Sequence, residues 1–388
     1  MEFEMTEDQS AICQAIKDIC QKFPLQYWHD IDEQGRFPDE FVKEFVDGGW
    51  LGIMMPEKYG GAGLGIQEAA ILAHTITRSG ACMSGASSIH MNLFGPNPIV
   101  VFGTNEQKER FLPRLIRGED RACFAVTEPD SGLNTARLAT RAVRNGDHYM
   151  VTGRKMWITT AQSANKILLI TRTSPIETCK KPVDGLTLFY TDLDRSRIEV
   201  QKIPKMGRAG VDSNALFIDD LKVPIEDRIG EEGMGWRYLL HGLNPERILV
   251  AAEAIGIGQA ALERAANYAN ERQVFGRSIG KNQAIQHPLA VNWMELQSAH
   301  LMVQKAAYLY QNQKPCGAEA NAAKYLAAEA ARKACEQAVR THGGMGYSKE
   351  FHVERYLREV MIPVLVPVSQ ELVKCFIAER VLGLEKSY

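Results

Sequence analysis

Glu371 stands in Val364-Leu-Val-Pro-Val-Ser-Gln-Glu-Leu-Val373, just ahead of a short helical tail, where a carboxylate could serve as a general base. Four other stretches carry side chains able to hold or flank a ligand. Phe124-Ala-Val-Thr-Glu-Pro-Asp-Ser-Gly132 reads as a strand running into a turn rich in hydroxyls and exposed amides. Met156-Trp-Ile-Thr-Thr160 puts an indole beside two hydroxyls, Arg272-Gln-Val-Phe-Gly276 sits at a helix end, and Arg340-Thr-His-Gly-Gly344 closes an alanine-rich helix. Taken singly, each has a simpler structural reading: hairpin turn, core tryptophan, helix C-cap, glycine stop.

The elements that would position these stretches follow from periodicity. From Thr6 to about Arg117 apolar residues recur at helical spacing (Ile12, Ala15, Ile16, Ile19, then Phe41, Phe45, Phe111, Leu115), interrupted by the glycine-rich loop Tyr59–Gly65. Between Ala122 and Pro224 the pattern changes to short β-type runs at 123–126, 148–151, 167–171, 186–190, 198–201 and 216–219, separated by Gly, Asn, Asp and Pro. From about Gly235 helical patterning returns, with long helices expected over 248–272, 283–311 and 319–341 and a shorter one after Ser369. Three such helices usually make an antiparallel bundle. The expected fold is mainly α with an inserted β domain, in the divisions 1–120, 121–228 and 229–388.

Composition excludes several classes. The chain has 388 residues, 45% of them hydrophobic and 24% charged, with a net charge of -2, which gives no general attraction to nucleic acid or an anionic membrane. Eight scattered cysteines form no CxxC pair, so neither a metal site nor a disulfide framework is expected, and a reducing, cytosolic setting fits. The acidic N-terminus lacks signal-peptide order, and no apolar run approaches a membrane span. There is no P-loop, GxSxG or HExxH. Ile255-Gly-Ile-Gly-Gln-Ala260 looks superficially like a dinucleotide turn, but it lies inside a helical run, where glycines serve close helix packing.

Order and spacing carry more than the single stretches. Tyr59-Gly-Gly, Val126-Thr-Glu-Pro, Trp157-Ile-Thr, Asp220-Leu-Lys-Val-Pro224, Arg272-x-x-Phe-Gly276, Gln283-Ala-Ile, Gly343-Gly-x-Gly-Tyr347 and Leu357-Arg358 occur in an order that resembles the acyl-CoA dehydrogenase family across the whole chain. The resemblance implies an N-terminal helical domain, a middle β domain and a C-terminal four-helix bundle, assembled as a homotetramer or homodimer. It also implies FAD. Phe124, Val126, Thr127, Gly132 and Leu133 would lie along the flavin and its ribityl chain, with Trp157 and Thr159 against the isoalloxazine; an aromatic wall with a few placed polar groups suits a large flat cofactor. Arg272, Phe275 and Gln283 would reach the pyrophosphate and adenine of a neighbouring subunit's FAD, an arginine fork matching phosphate oxygens. Arg340, Gly343, Gly344, Ser369 and Glu371 would lie beside the cofactor. Asp212, Ser213 and Arg247 would face the substrate.

The family reaction removes the proton α to a thioester while the β carbon gives hydride to the flavin. In many members the base is a Glu on the loop after the Gly-Gly-x-Gly segment; counted without gaps, that position is Pro367, four residues before Glu371. A minority, the isovaleryl-CoA dehydrogenases among them, carry the base on the first long bundle helix in a segment like Leu-Asp-Leu-Glu-Arg, and Leu243-Asn-Pro-Glu-Arg247 corresponds to it. Glu246 is therefore the expected base, although a Glu after Asn-Pro also suits the first turn of a helix. Pro367 has no N–H to offer the thioester carbonyl, and losing one such donor costs about 2.7–4 kcal/mol of barrier. The resemblance thus implies dehydrogenation of an acyl-CoA to the trans-2-enoyl thioester, with an electron-transfer flavoprotein as acceptor, in fatty or branched acyl metabolism. A flavin oxygenase or oxidase on the same fold, or a non-catalytic FAD-binding protein, are the alternatives.

Overall fold

The structure, a computed structural model, describes residues 4–386; Met1–Phe3, the head of the acidic N-terminus, and the last two residues lie outside it. Seven helices come first: α1 (Glu7–Gln21), α2 (Leu25–Gln34), α3 (Asp39–Asp47), α4 (Ile66–Ile76), α5 (Cys82–Phe94), α6 (Asn97–Phe102) and α7 (Asn105–Ile116). Thr6 and Thr104 start α1 and α7 with reciprocal capping boxes to Gln9 and Gln107. Eight strands follow: β1 (Ala122–Ala125), β2 (Arg141–Asn145), β3 (His148–Thr159), β4 (Lys166–Arg172), β5 (Leu186–Asp192), β6 (Ile198–Lys202), β7 (Ser213–Pro224) and β8 (Arg228–Ile229). They form one sheet in the order β6-β7-β3-β2-β4-β5-β8, with β1 paired in parallel to β4.

The long helices α8 (Gly235–Glu271), α9 (Gln283–Gln311) and α10 (Gly317–His342) pack on one another, with the hairpin β9 (Gln273–Val274) and β10 (Arg277–Ser278) between the first two. Helices α11 (Val353–Glu359), α12 (Met361–Leu365) and α13 (Gln370–Phe376) complete the C-terminal part. A single apolar core runs through the N-terminal helices and the bundle, and two smaller cores lie on the faces of the sheet. The fold is thus helical, β, helical, as the periodicity indicates.

Three differences from the sequence reading have physical causes. β2 was not expected, because in Arg141-Ala-Val-Arg-Asn only Ala142 is buried, so the strand carries no apolar stripe. α8 begins at Gly235, about three turns before Ile248, and runs through Pro245. That proline lacks the N–H that would reach the carbonyl of His241, and the Asn97 side-chain amide donates to that carbonyl instead, at 3.3 Å. The stretch Val353–Val381 is apolar and helical enough by composition to span a membrane. It is folded here as three separate short helices, interrupted at the cis peptide Val366–Pro367. The dinucleotide-like glycines do serve packing: a Cβ on Gly256 would lie 2.0 Å from the Thr77 hydroxyl, and one on Gly258 would lie 2.7 Å from Leu296.

Candidate active site

The turn after β1 is held by two buried charges that the sequence reading missed. Lys155 on β3 is fully buried and its ammonium donates to the Val126 carbonyl at 3.1 Å and to Glu128 at 2.9 Å. Glu128 in turn accepts from the backbone N–H groups of Ala139 and Thr140. Burial draws the Lys155 ammonium down to about 8, and only Glu128 keeps a cation there affordable. Together they fix Val126 and Thr127 beside the sheet and leave Gly132 and Leu133 exposed at the tip. The polar run Thr152-Gly-Arg-Lys155 does not mark Lys155 as inward-facing, so the pair was not readable from the sequence.

Next to that turn the register of β3 against β7 shifts between Lys155 and Ile158, a bulge that turns Trp157 outward. Trp157 adopts φ +64° and is 56% exposed. A bulky residue at positive φ is an outlier that surrounding structure must impose, and such strain concentrates at ligand sites. Phe124, on β1, bridges two cores and meets Phe94 edge-on at 6.2 Å. Thr127 and Thr159 are half-buried, with hydroxyls placed to bond a polar flat ligand. A Cβ at Gly132, Gly343 or Gly344 would meet no protein atom within 4 Å, so a ligand can approach the backbone there. These features fit an isoalloxazine with its ribityl chain.

Glu246 lies about three turns inside α8, so the first-turn reading of this residue fails. It is half-buried, makes no side-chain hydrogen bond among the described residues, and burial lifts its carboxyl to about 7 despite the neighbouring Arg247. Arg247 donates to Asn244 at 3.1 Å, while its Nε is buried without a partner among the described residues. Across from α8, the loop bearing Pro367 is fastened by buried Lys324, which donates to the carbonyls of Val364 at 3.1 Å and Val368 at 2.7 Å. Ser369 caps α13 through the Leu372 N–H, and Glu371 is exposed beside Lys374 at 3.8 Å. Asp212 is committed to the Gln162 N–H and the Asn214 amide, whereas Ser213 accepts from Arg208 at 2.9 Å.

The remaining candidates gather elsewhere on the bundle. Arg272 ends α8, and Phe275 is fully exposed at the hairpin tip with φ +52°. Gln283 opens α9. Arg340, paired with Glu336 at 2.7 Å, borders an open groove of about 460 Å³ between α9 and α10. His342 is stacked on Tyr268 at 4.2 Å and bonded to the Ala338 carbonyl, a packing position.

Three family models match the chain in succession: the acyl-CoA dehydrogenase N-terminal domain at residues 6–119, the middle domain at 123–221 and the C-terminal domain at 233–382. The chain belongs to the acyl-CoA dehydrogenase family. It is 35% identical over 383 residues to a probable acyl-CoA dehydrogenase, YngJ, of Bacillus subtilis, covering 98% of this chain and 100% of that one. It is 33% identical to the caffeyl-CoA reductase-Etf complex subunit CarC of Acetobacterium woodii, covering 92% and 93%. The solved butyryl-CoA dehydrogenase of Megasphaera elsdenii superposes with a TM-score of 0.93 at 30% identity, over 98% and 100% of the two chains. As an acyl-CoA dehydrogenase the protein is a flavin-dependent oxidoreductase of CH–CH bonds in acyl-CoA thioesters, and its cofactor is FAD. Within that family, Trp157 and Thr159 are the residues of this chain that would hold the isoalloxazine, and the Val126–Leu133 turn would hold the ribityl chain.

Proposed function

We propose that Glu246 is the base that removes the α proton of the acyl thioester, and that the loop at Pro367 takes no proton. The observation that carries this is the pairing of a partnerless, half-buried carboxyl on α8 with a proline at the loop position where a base could otherwise stand. FAD, when bound, accepts the hydride from the β carbon. The chain's own part is to hold the thioester between the cofactor site and α8, to take the α proton at a Glu246 carboxylate oxygen, and to exclude water around it. Proline cannot polarise the thioester carbonyl through its backbone, so that donor must come from elsewhere in the loop or from the cofactor.

The assembly is proposed to be a homotetramer or homodimer in which Arg272, Phe275 and Gln283 of one subunit reach the FAD of another. Full exposure of Phe275 supports this. An electron-transfer flavoprotein is proposed as the electron partner, in line with the name of the Acetobacterium woodii relative, and the setting as cytoplasmic. The deciding assay is anaerobic bleaching of the flavin by a panel of acyl-CoA thioesters, with Glu246→Gln beside the wild type. Bleaching should slow by about 10²- to 10⁴-fold in the variant, the usual range for loss of a general base, with FAD still bound. Unchanged bleaching in Glu246→Gln would remove the assignment. Because that relative is named a reductase, reoxidation of the reduced enzyme by 2-enoyl-CoA reads the direction in the same experiment.

A further inference from the structure

Among the described residues, Arg208 is a buried cation that no anion holds. Its side chain is 6% exposed, and its guanidinium donates only to hydroxyls: Ser87 on α5 at 3.2 Å, Ser213 at 2.9 Å and Thr159 at 3.4 Å. Its Nε has no partner among the described residues. The carboxylates whose fields reach it form no ion pair with it among the described residues. Glu359 accepts from Ser84, and Asp212 from Gln162 and Asn214. Glu253, on α8 two turns beyond Glu246, is fully buried and bonded through one oxygen to His90 at 2.9 Å, while its second oxygen has no partner among the described residues.

These groups belong to one region. Ser87 and His90 are one turn apart on α5, and Glu246 and Glu253 share a face of α8. His90 packs on Phe94 at 5.3 Å, and Phe94 on Phe124. Arg208 touches Thr159 and Ser213, the residues read as facing the flavin and the acyl group. The backbone of Arg208 is itself held at φ +55°, with Lys205 donating to the Gly207 carbonyl at 3.1 Å and to that of Arg208. A buried guanidinium held only by neutral hydroxyls is costly, and a hydrocarbon tail placed against it would leave both orphaned polar atoms, Arg208 Nε and the second Glu253 oxygen, unsatisfied.

We propose that Arg208 is a specificity-determining residue, and that the acyl group this enzyme takes is short and carries, beyond its β carbon, an oxygen that accepts a hydrogen bond from the guanidinium. The inference rests on the dehydrogenase reading and on the placement of Thr159 and Ser213 in that site. A carboxylate or a neutral hydroxyl could supply the oxygen; Glu253 offers its free oxygen to a hydroxyl and repels a carboxylate.

The test compares butyryl-CoA, octanoyl-CoA, 4-hydroxybutyryl-CoA and glutaryl-CoA as anaerobic reductants of the holoenzyme, with Arg208→Gln and Arg208→Lys alongside. The expected result is a kcat/KM for an oxygenated thioester at least about tenfold above that for butyryl-CoA, since a hydrogen bond to a charged group is worth about 10- to 100-fold. That ratio should fall towards one in Arg208→Gln and recover in part in Arg208→Lys. Preference for 4-hydroxybutyryl-CoA assigns a neutral oxygen, and preference for glutaryl-CoA a carboxylate. Flavin content and Tm of both variants separate a folding defect from a specificity change, and if both variants misfold, the wild-type ratio alone decides. Bleaching by butyryl- or octanoyl-CoA in preference to both oxygenated thioesters overturns the proposal and leaves the dehydrogenase reading standing. Bleaching by none of the four, nor by any wider acyl-CoA panel, overturns both.

Discussion

At the scale of single residues, the site turns on where one carboxyl can keep or lose its proton. Burial lifts Glu246 to about 7 from an ordinary 4.5, so the fold favours its protonated form. The sign follows: the carboxyl costs the fold nothing below its unfolded value, and stability is lost as pH rises through the folded value. Catalysis runs the other way, because only the carboxylate can take the α proton. The kcat/KM of the wild type is therefore expected to rise with pH through a limb near 7, while Glu246→Gln loses that limb and melts higher than wild type at pH 8 but not at pH 4. A flat wild-type profile between pH 5.5 and 8.5 would contradict the assignment. Pro367 and Glu246 were both singled out in the sequence, one as a residue that cannot take a proton and the other by the segment around it, and the catalytic role of Glu246 stands as a proposal. Arg208, Glu253 and Lys155 were not, because a charged side chain announces its burial only when its neighbours in space are known. Glu253 came closest to being readable, as the lone charge in the apolar run Ile248-Leu-Val-Ala-Ala-Glu-Ala-Ile-Gly256.

At the scale of elements, the site is built where regular structure is locally broken. The bulge in β3 exposes Trp157, Pro245 interrupts the ladder of α8 one residue before Glu246, and the loop between α12 and α13 carries Pro367. Long periodic segments were legible: α9 begins and ends as expected, and α10 differs by only a few residues at each end. Breaks were misread because their repair comes from distant side chains, such as the Asn97 amide on the His241 carbonyl. Lys324 is a repair of the same kind, with its ammonium drawn to about 8 by burial and spent on two loop carbonyls. Lys324→Met keeps the length of the side chain and removes both bonds. It should lower stability by about 1–3 kcal/mol, the cost of stranding buried polar groups, and speed amide exchange selectively over residues 364–370. Uniform exchange across the bundle with that loop still protected would show that Lys324 does not fasten it.

At the scale of the whole molecule, the monomer leaves surfaces that a second copy would cover. Phe275 and Gly276 form the two-residue turn of the β9–β10 hairpin, both at positive φ, 52° and 76°. Such a turn favours Asn-Gly or Gly-Gly, and a phenylalanine fully exposed in that conformation is costly on a lone chain. Tyr347 is 89% exposed and Trp293 57% exposed, adding apolar surface on the same C-terminal part of the chain. Aromatic anchors of this kind dominate interface energies. If Phe275 seats against the FAD of a neighbouring subunit, Phe275→Asp should do two things at once: shift the sedimentation coefficient towards a smaller species, and weaken FAD retention by roughly tenfold or more, as expected for loss of an interface anchor. Both follow from one contact, so they should appear together and scale together when protein concentration is raised. A variant that keeps its mass but sheds flavin would place Phe275 on its own subunit's cofactor. One that keeps both would leave the hairpin without a role in assembly.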